Sequence, residues 1–266
     1  HYQWRRGASL LFTPDMINYT TEKLALMAEL RQAIDQDQLV LFVQPQMAMR
    51  NRQVLAAEVL IRWRHPQKGL LAPEAFLALA EEMGVIYPLS LWVVEHAIKT
   101  IASLTEQGLV SRIAVNISSK DLLQDELIEA LERLFDKYQV KPQYLMLEVS
   151  ENALVAQPER TMAMMQRLHG LGVELALDDF GTGFSSLAYL RQLPVQYVKV
   201  DCSFISELHK TEAHIAITGA IIDMARNLGL GVIAEGIESA EVADKLLRMG
   251  CVRGQGFWYS QPFELS

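Results

Sequence analysis

From Leu39 onward the chain alternates short β-rich runs with longer stretches whose apolar residues recur at helical spacing. The β-rich runs are Leu39–Gln46, Val54–Arg62, Arg112–Ser118, Tyr144–Val149, Val173–Asp178, Tyr197–Asp201, Gly231–Glu235 and, more weakly, Cys251–Phe257. Between most of them the pattern predicts helices over Pro73–Met83, Leu89–Gln107, Ser118–Tyr138, Pro158–Leu168, Glu212–Leu228 and Ser239–Met249, most of them closed by a glycine. The first two runs lie too close together for a helix between them, so they read as a hairpin with an antiparallel first strand. The strands are apolar nearly throughout, as expected when both faces are buried. Eight strands alternating with helices predict an α/β fold, a TIM-like (β/α)8 barrel in preference to an open sheet.

Ahead of the barrel, Leu24, Met27, Leu30 and Ile34 recur at helical spacing, and residues 21–36 read as a connector helix. Residues 37–266 are then the barrel domain, and residues 1–20 precede the connector. The chain opens on His1 without a methionine and without a signal-peptide pattern, and it reads as a piece of a longer protein. No apolar run approaches the roughly 20 residues that span a bilayer. Cys202 and Cys251 sit in apolar surroundings with no metal-ligand spacing, and both are expected to be buried thiols.

Polar residues fall at a recurring place. Gln44, Glu58, Asn116, Glu148, Asp178 with Asp179, Lys199 with Asp201, Glu235 and Gln255 each stand on or near the end of a predicted strand. In an α/β barrel those ends converge on one mouth, where active sites sit. Buried carboxylates are costly unless paired, and several in one mouth repel each other unless cations neutralise them. The oxygen-only donor set Glu58, Asn116, Glu148, Asp178 and Asp179 suits Mg²⁺, Mn²⁺ or Ca²⁺ and argues against zinc or copper. Two hard cations close together are a standard device for cleaving phosphate esters. The plainer reading, a web of salt bridges around Lys199, is weaker because acids there far outnumber bases. The whole chain carries 24 Lys and Arg against 32 Asp and Glu, a net charge of −8, which excludes a protein built to coat polymeric nucleic acid.

These residues fall within motifs. The series comprises Gln44-Pro45, Glu58-Val59-Leu60-Ile61-Arg62-Trp63 with His65-Pro66, Asn116-Ile117-Ser118 and Glu148-Val149-Ser150-Glu151. It continues with Asp178-Asp179-Phe180-Gly181-Thr182-Gly183, Lys199-Val200-Asp201, Ala234-Glu235-Gly236-Ile237-Glu238 and Gln255-Gly256. In this order they resemble the EAL-domain family of cyclic di-GMP phosphodiesterases over roughly residues 22–264. The resemblance implies a hydrolase that opens cyclic di-GMP to linear pGpG with two Mg²⁺ or Mn²⁺ ions, Ca²⁺ being inhibitory. It implies Glu58, Asn116, Glu148 and Asp178 as first-metal ligands, Asp179 at the second metal, and Glu235 as ligand or base. Lys199 is implied beside the attacking water. Arg62 is implied on substrate phosphate, and Gln44, Asp201, Glu238 and Gln255 as substrate-side or supporting residues. Glu151 is implied as the brace of the loop Asp179–Ser186. Val59 replaces the family's alanine, but its side chain should alternate away from Glu58. Phe184 stands where tyrosine is common, and Cys202 and Gln261 where arginine is frequent.

By the same resemblance, Trp4-Arg5-Arg6-Gly7 through Met16 is similar to the exit of a diguanylate-cyclase-like (GGDEF) domain, and an upstream regulatory domain and a homodimer are implied partners. A cytoplasmic location is implied for this domain, with membrane anchoring through upstream segments left open. Two other functions stay open: a receptor that holds cyclic di-GMP without cleaving it, and a scaffold with no nucleotide role. Gly229-Leu-Gly231 echoes a dinucleotide fingerprint but precedes a strand where the fingerprint must follow one, so it reads as a helix cap. Met162, Met164 and Met165 read as core packing. His96, His169, His209 and His214 share no pattern.

Overall fold

The first hairpin closes the molecule into a cylinder. The computed structural model describes residues 14–109, 112–182, 190–208 and 211–265. Its strands are β1 (Leu39–Ala48), β2 (Gln53–His65), β3 (Gly69–Leu71), β4 (Arg112–Ile117), β5 (Leu145–Ser150), β6 (Glu174–Phe180), β7 (Tyr197–Val200), β8 (Gly231–Ala234), β9 (Arg253–Gly254) and β10 (Phe263–Glu264). Around the wall the order is β1-β2-β4-β5-β6-β7-β8-β9, and β1 pairs with both β2 and β9 to seal it. Every pairing from β2 round to β9 is parallel, whereas β1 runs antiparallel to both neighbours. The short β3 and β10 extend β2 and β1 outside the closed wall.

Period-2 alternation sorts each strand into a face towards the helices and a face towards the interior. In β5, Leu145, Leu147 and Val149 join the large core beneath the helices, while Met146 belongs to a separate inner cluster with Ala114, Ala176, Tyr197 and Ile233. The inner face therefore has three levels. Arg112, Glu174 and Arg253 stand at the bottom, the apolar inner cluster in the middle, and Asn116, Glu148, Asp178, Lys199, Glu235 and Gln255 at the top. Such layered filling makes a barrel a packed core and not a pore.

The helices are α1 (Pro14–Asp35), α2 (Leu77–Glu82), α3 (Ile86–Glu106), α4 (Ser119–Leu122), α5 (Leu127–Tyr138), α6 (Ala153–Ala156), α7 (Pro158–Leu171), α8 (Cys202–Ser206), α9 (Glu212–Asn227) and α10 (Ala240–Arg248). Ser118, Thr211 and Ser239 cap α4, α9 and α10 by accepting backbone N–H bonds from Asp121, His214 and Val242. Met164 and Met165 are buried in the core, as their helical spacing suggests. Among the described residues no helix is long and apolar enough to cross a membrane.

Four expectations are corrected. The helix before the barrel starts at Pro14, not near residue 21, because proline's fixed φ suits a first turn. The helix expected over Ser118–Tyr138 breaks between α4 and α5 at Leu123–Glu126, where backbone N–H groups fall back on Asp121 and Gln124 in tight turns. The helix expected over Pro73–Met83 divides into a 3₁₀ turn at Pro73–Ala75 and α2. Cys202 is exposed at the start of α8, and only Cys251 is buried. Residues 1–13, Phe184, the loop motif from Gly183 through Ser186, and His209 lie outside the described residues.

Candidate active site

One strand irregularity and one truncated pairing set up the upper level. Glu58 lies in the middle of the long β2 and not at its end as expected. Parallel pairing of β2 with β4 stops at Val59↔Val115, so Glu58 stands where β2 leaves the closed wall. Val59 is buried in the outer core, turned away from Glu58 as alternation requires. The β6–β7 register shifts between Leu177 and Phe180, a bulge that re-aims Asp178 and Asp179. Asp179 adopts a left-handed backbone, φ 55°, a conformation that short polar side chains tolerate best. Gly256, next to Gln255, admits no side chain at all: a Cβ there would run into the backbone of Ile237.

Lys199 forms the hub. Its Nζ lies 2.6 Å from Glu148 Oε2, 2.8 Å from Glu235 Oε1, 3.2 Å from Asp178 Oδ1 and 3.4 Å from Glu58 Oε2. Asn116 donates to Glu58 Oε1 at 2.6 Å, which leaves its amide oxygen as an acceptor. Gln255 donates to Glu58 Oε2 at 2.6 Å and to Glu235 Oε1 at 3.2 Å, while its own Oε1 is buried without a partner. One carboxylate oxygen from each of Asp178, Asp179 and Glu235 lies within 4.8 Å of the others. The expected ligands thus fall into two groups. Glu58 and Glu148 converge on Lys199, and the Asp178–Asp179–Glu235 group opens beside it.

The electrostatics follow from one buried ammonium among five acids. Burial disfavours the Lys199 charge, but Glu148, Glu58, Glu235 and Asp178 outweigh it and hold the ammonium well above the usual lysine range. Burial also drives Glu148 well above the ordinary carboxylate range, reinforced by Glu58 and only partly offset by Lys199. It pushes Glu235 up to about 7 against the pull of Lys199, and it raises Asp179 with help from Asp178 and Asp201. Glu58 goes the other way. Burial would raise it, but Lys199 and the donors Gln255 and Asn116 overcome that and leave it lowered. One ammonium therefore does not satisfy this mouth. Its oxygen-only donors and excess negative charge fit hard divalent cations.

The remaining predicted residues lie around this centre. Glu151 is buried and accepts the backbone N–H of Gly181 at 3.0 Å, and its own N–H bonds to the Asp178 carbonyl. It thereby ties Gly181, the residue after β6, to the strand that carries Asp178. Gln44 is buried and donates to the Ser260 carbonyl at 3.1 Å. Arg62 shares the Glu58 face of β2 four residues on, about 13 Å away by strand rise, with its guanidinium 5.6 Å from the Phe42 ring centre. Asp201 caps α8 by accepting from Ser203 N at 3.0 Å. Glu238 is exposed on the segment after β8, outside the ion-paired cluster. Sequence reading missed Gln46, which is 2 % exposed and donates to Glu148 Oε1 at 3.2 Å. Its signal was available, because it shares the inward parity of Gln44.

Comparison with known proteins extends this picture. Residues 27–262 match the EAL domain family. The chain is 39% identical over 262 residues to the cyclic di-GMP phosphodiesterase NbdA of Pseudomonas aeruginosa, covering 98% of this chain and 34% of that protein. It is 36% identical over 257 residues to the cyclic di-GMP phosphodiesterase PdeR of Escherichia coli, covering 97% of this chain and 39% of that protein. It therefore spans about a third of the length of these curated relatives. Among solved structures it resembles the PaMucR phosphodiesterase in complex with c-di-GMP, with a TM-score of 0.87 and 36% identity, covering 90% of this chain and 97% of that one. The FimX EAL domain from Pseudomonas aeruginosa bound to c-di-GMP matches with a TM-score of 0.82 and 26% identity, covering 89% of this chain and 95% of that one.

Proposed function

The chain belongs to the EAL domain family, and from that premise we propose that it is a metal-dependent phosphodiesterase that hydrolyses cyclic di-GMP to linear pGpG. The observation that carries this reading is the buried excess of carboxylates around Lys199 at the upper end of the barrel. Relatives that share the fold over nearly the whole chain are themselves cyclic di-GMP phosphodiesterases or bind c-di-GMP. Glu58, Asn116, Glu148, Asp178, Asp179 and Glu235 would hold two Mg²⁺ or Mn²⁺ ions. When bound, such ions stabilise charge on phosphate oxygens and bring the pKa of water towards neutrality.

The chain's own groups supply the rest. The Lys199 ammonium, kept protonated by its acid neighbours, offers charge to the phosphoryl oxygens as negative charge builds. Glu235 stands in the group with Asp178 and Asp179, where it would act as ligand or base. Arg62 offers a planar fork for the substrate's second phosphate at the far end of the Glu58 face. Gln44, Gln255, Asp201 and Glu238 would complete the substrate side or support it. Glu151 holds the loop that follows Asp179 in register with the ligands. Residues 37–266 form the catalytic domain in this reading and α1 its connector to a regulatory domain, with a homodimer as the working assembly in the cytoplasm.

The test is incubation of the 266-residue chain with cyclic di-GMP in Mg²⁺, Mn²⁺, Ca²⁺ or chelator, with products separated by chromatography. Linear dinucleotide in Mg²⁺ or Mn²⁺, and none in Ca²⁺ or chelator, is the expected outcome. Tight binding without product in any metal would make the chain a receptor instead. No binding at all would leave a barrel without this function.

A further inference from the structure

The carboxylate mouth has a floor, and the side chain that forms it belongs to β1, which runs antiparallel to both its neighbours in the wall. Gln46 sits on β1 opposite Ala56, and the β1–β2 register shifts between Gln46 and Met47. Bulges of this kind bend a strand and re-aim its side chains. The side-chain amide of Gln46 bonds beyond its own hairpin. It reaches Glu148 on β5, two strands further round than its partner β2, and donates from Nε2 to Glu148 Oε1 at 3.2 Å. Ala56, Ala114 and Ala176 have small side chains at neighbouring inward positions, which leaves room for this crossing.

The two oxygens of Glu148 are therefore held apart in role. Oε1 takes the Gln46 amide from below, and Oε2 takes Lys199 at 2.6 Å from the mouth. Glu148 and Lys199 are each 1% exposed and Gln46 2%, so no water replaces either donor cheaply. Building on the metal-dependent reading above, we infer that Gln46 is a positioning residue. It fixes the Glu148 carboxylate so that a single oxygen, Oε2, faces a cation. Without the amide the carboxylate is free to turn, and the ligand arrives unoriented. Outer donors to metal-binding carboxylates and imidazoles have this effect, and their loss costs about 10–100-fold in metal affinity or activity.

The test is Gln46→Met, which keeps the length and volume and removes the donor. Mn²⁺ binding is read by calorimetry without nucleotide, alongside the thermal midpoint and the Mn²⁺ dependence of turnover. The expected result is an Mn²⁺ affinity about 10–100-fold weaker with a thermal midpoint close to that of the parent. At saturating Mn²⁺, kcat should return to within about threefold of the parent, since only the ligand's orientation has been lost. Gln46→His, whose Nε2–H extends about as far as the glutamine amide, should recover part of the affinity. If Gln46→Met does not fold, Gln46→Ser carries the same measurement. An unchanged Mn²⁺ affinity in a folded variant overturns the inference while the parent's binding keeps the function intact. A parent that binds no Mn²⁺ removes both, and that outcome is visible before any variant is made.

Discussion

At the lower end of the barrel Arg112 Nη2 lies 2.9 Å from Glu174 Oε1, and the Arg253 guanidinium sits 4.7 Å from the centre of the Tyr197 ring. At the upper end, among the described residues, Lys199 alone faces Glu58, Glu148, Asp178 and Glu235, with Asp179 beside them. Both ends place charge inside the same cylinder, and alternation along the same strands generates both: Arg112 and Asn116 on β4, Glu174 and Asp178 on β6, Arg253 and Gln255 on either side of Gly254. The lower end sets two bases, Arg112 and Arg253, against one acid, Glu174, so no negative charge is left over and its charges serve the wall. The upper end is strongly unbalanced, and a buried imbalance persists only where something else supplies the missing charge. Ion pairs inside a fold are common; what separates a site from a brace is the sign left over.

Predictions follow from disturbing each end. The largest effect belongs to Glu58→Ala, which should reduce turnover to background while circular dichroism shows the fold intact. Normal turnover in that variant would break the assignment of the upper end. Lys199→Met comes next, because it leaves the buried Glu58 and Glu148 facing the partly buried Asp178 and Glu235 with no cation among them. Without divalent cations it should lose about 3–5 kcal/mol of stability, as a broken buried pair does. Saturating Mn²⁺ should then restore more of its thermal midpoint than it adds to the parent.

The lower end should answer differently. Arg112→Met strips Glu174 of its nearest base and should cost about 1–3 kcal/mol, less than a fully buried pair because both groups are partly exposed. Its kcat should match that of the parent; a fall beyond about tenfold would mean the ends are not separable. The smallest effect is a pH dependence. Burial raises Glu174 above its usual value, against the opposing pull of Arg112 and Arg253. A carboxyl raised on folding contributes stability fully below its unfolded pKa, about 4.5, and that contribution is lost as pH rises through the folded value. Glu174→Gln should therefore flatten the fall in thermal midpoint above pH 4.5 relative to the parent. A variant that tracks the parent's slope would show that Glu174 does not titrate as its surroundings imply.

Much of this was legible before the fold was known, for a physical reason. Strands buried on both faces are apolar nearly throughout, so Glu148 within Leu145–Val149 and Lys199 within Tyr197–Val200 stand out as exceptions that only a polar interior can explain. The hairpin was legible because no helix fits between Gln46 and Val54. Glu58 was misplaced along its strand because sequence does not show where a long strand departs from the wall. Gln46 escaped notice because a glutamine in a hairpin is unremarkable until the strand across the barrel is known. β3 and β10 are three and two residues long, too short to carry a period. Cys202 looked buried among apolar neighbours, but it follows Asp201 at the first residue of a short surface helix. The break between α4 and α5 was hidden because apolar spacing continues across it.

The central claim is that the upper end of the barrel lacks positive charge and the lower end does not. The most direct measurement is a calorimetric titration of Mn²⁺ into the parent chain, Asp178→Asn and Glu174→Gln, each checked for fold. About two ions per parent chain are expected. Binding should be lost or at least about tenfold weaker in Asp178→Asn, and parent-like in Glu174→Gln. Equal binding in all three proteins, or none in the parent, would contradict the claim.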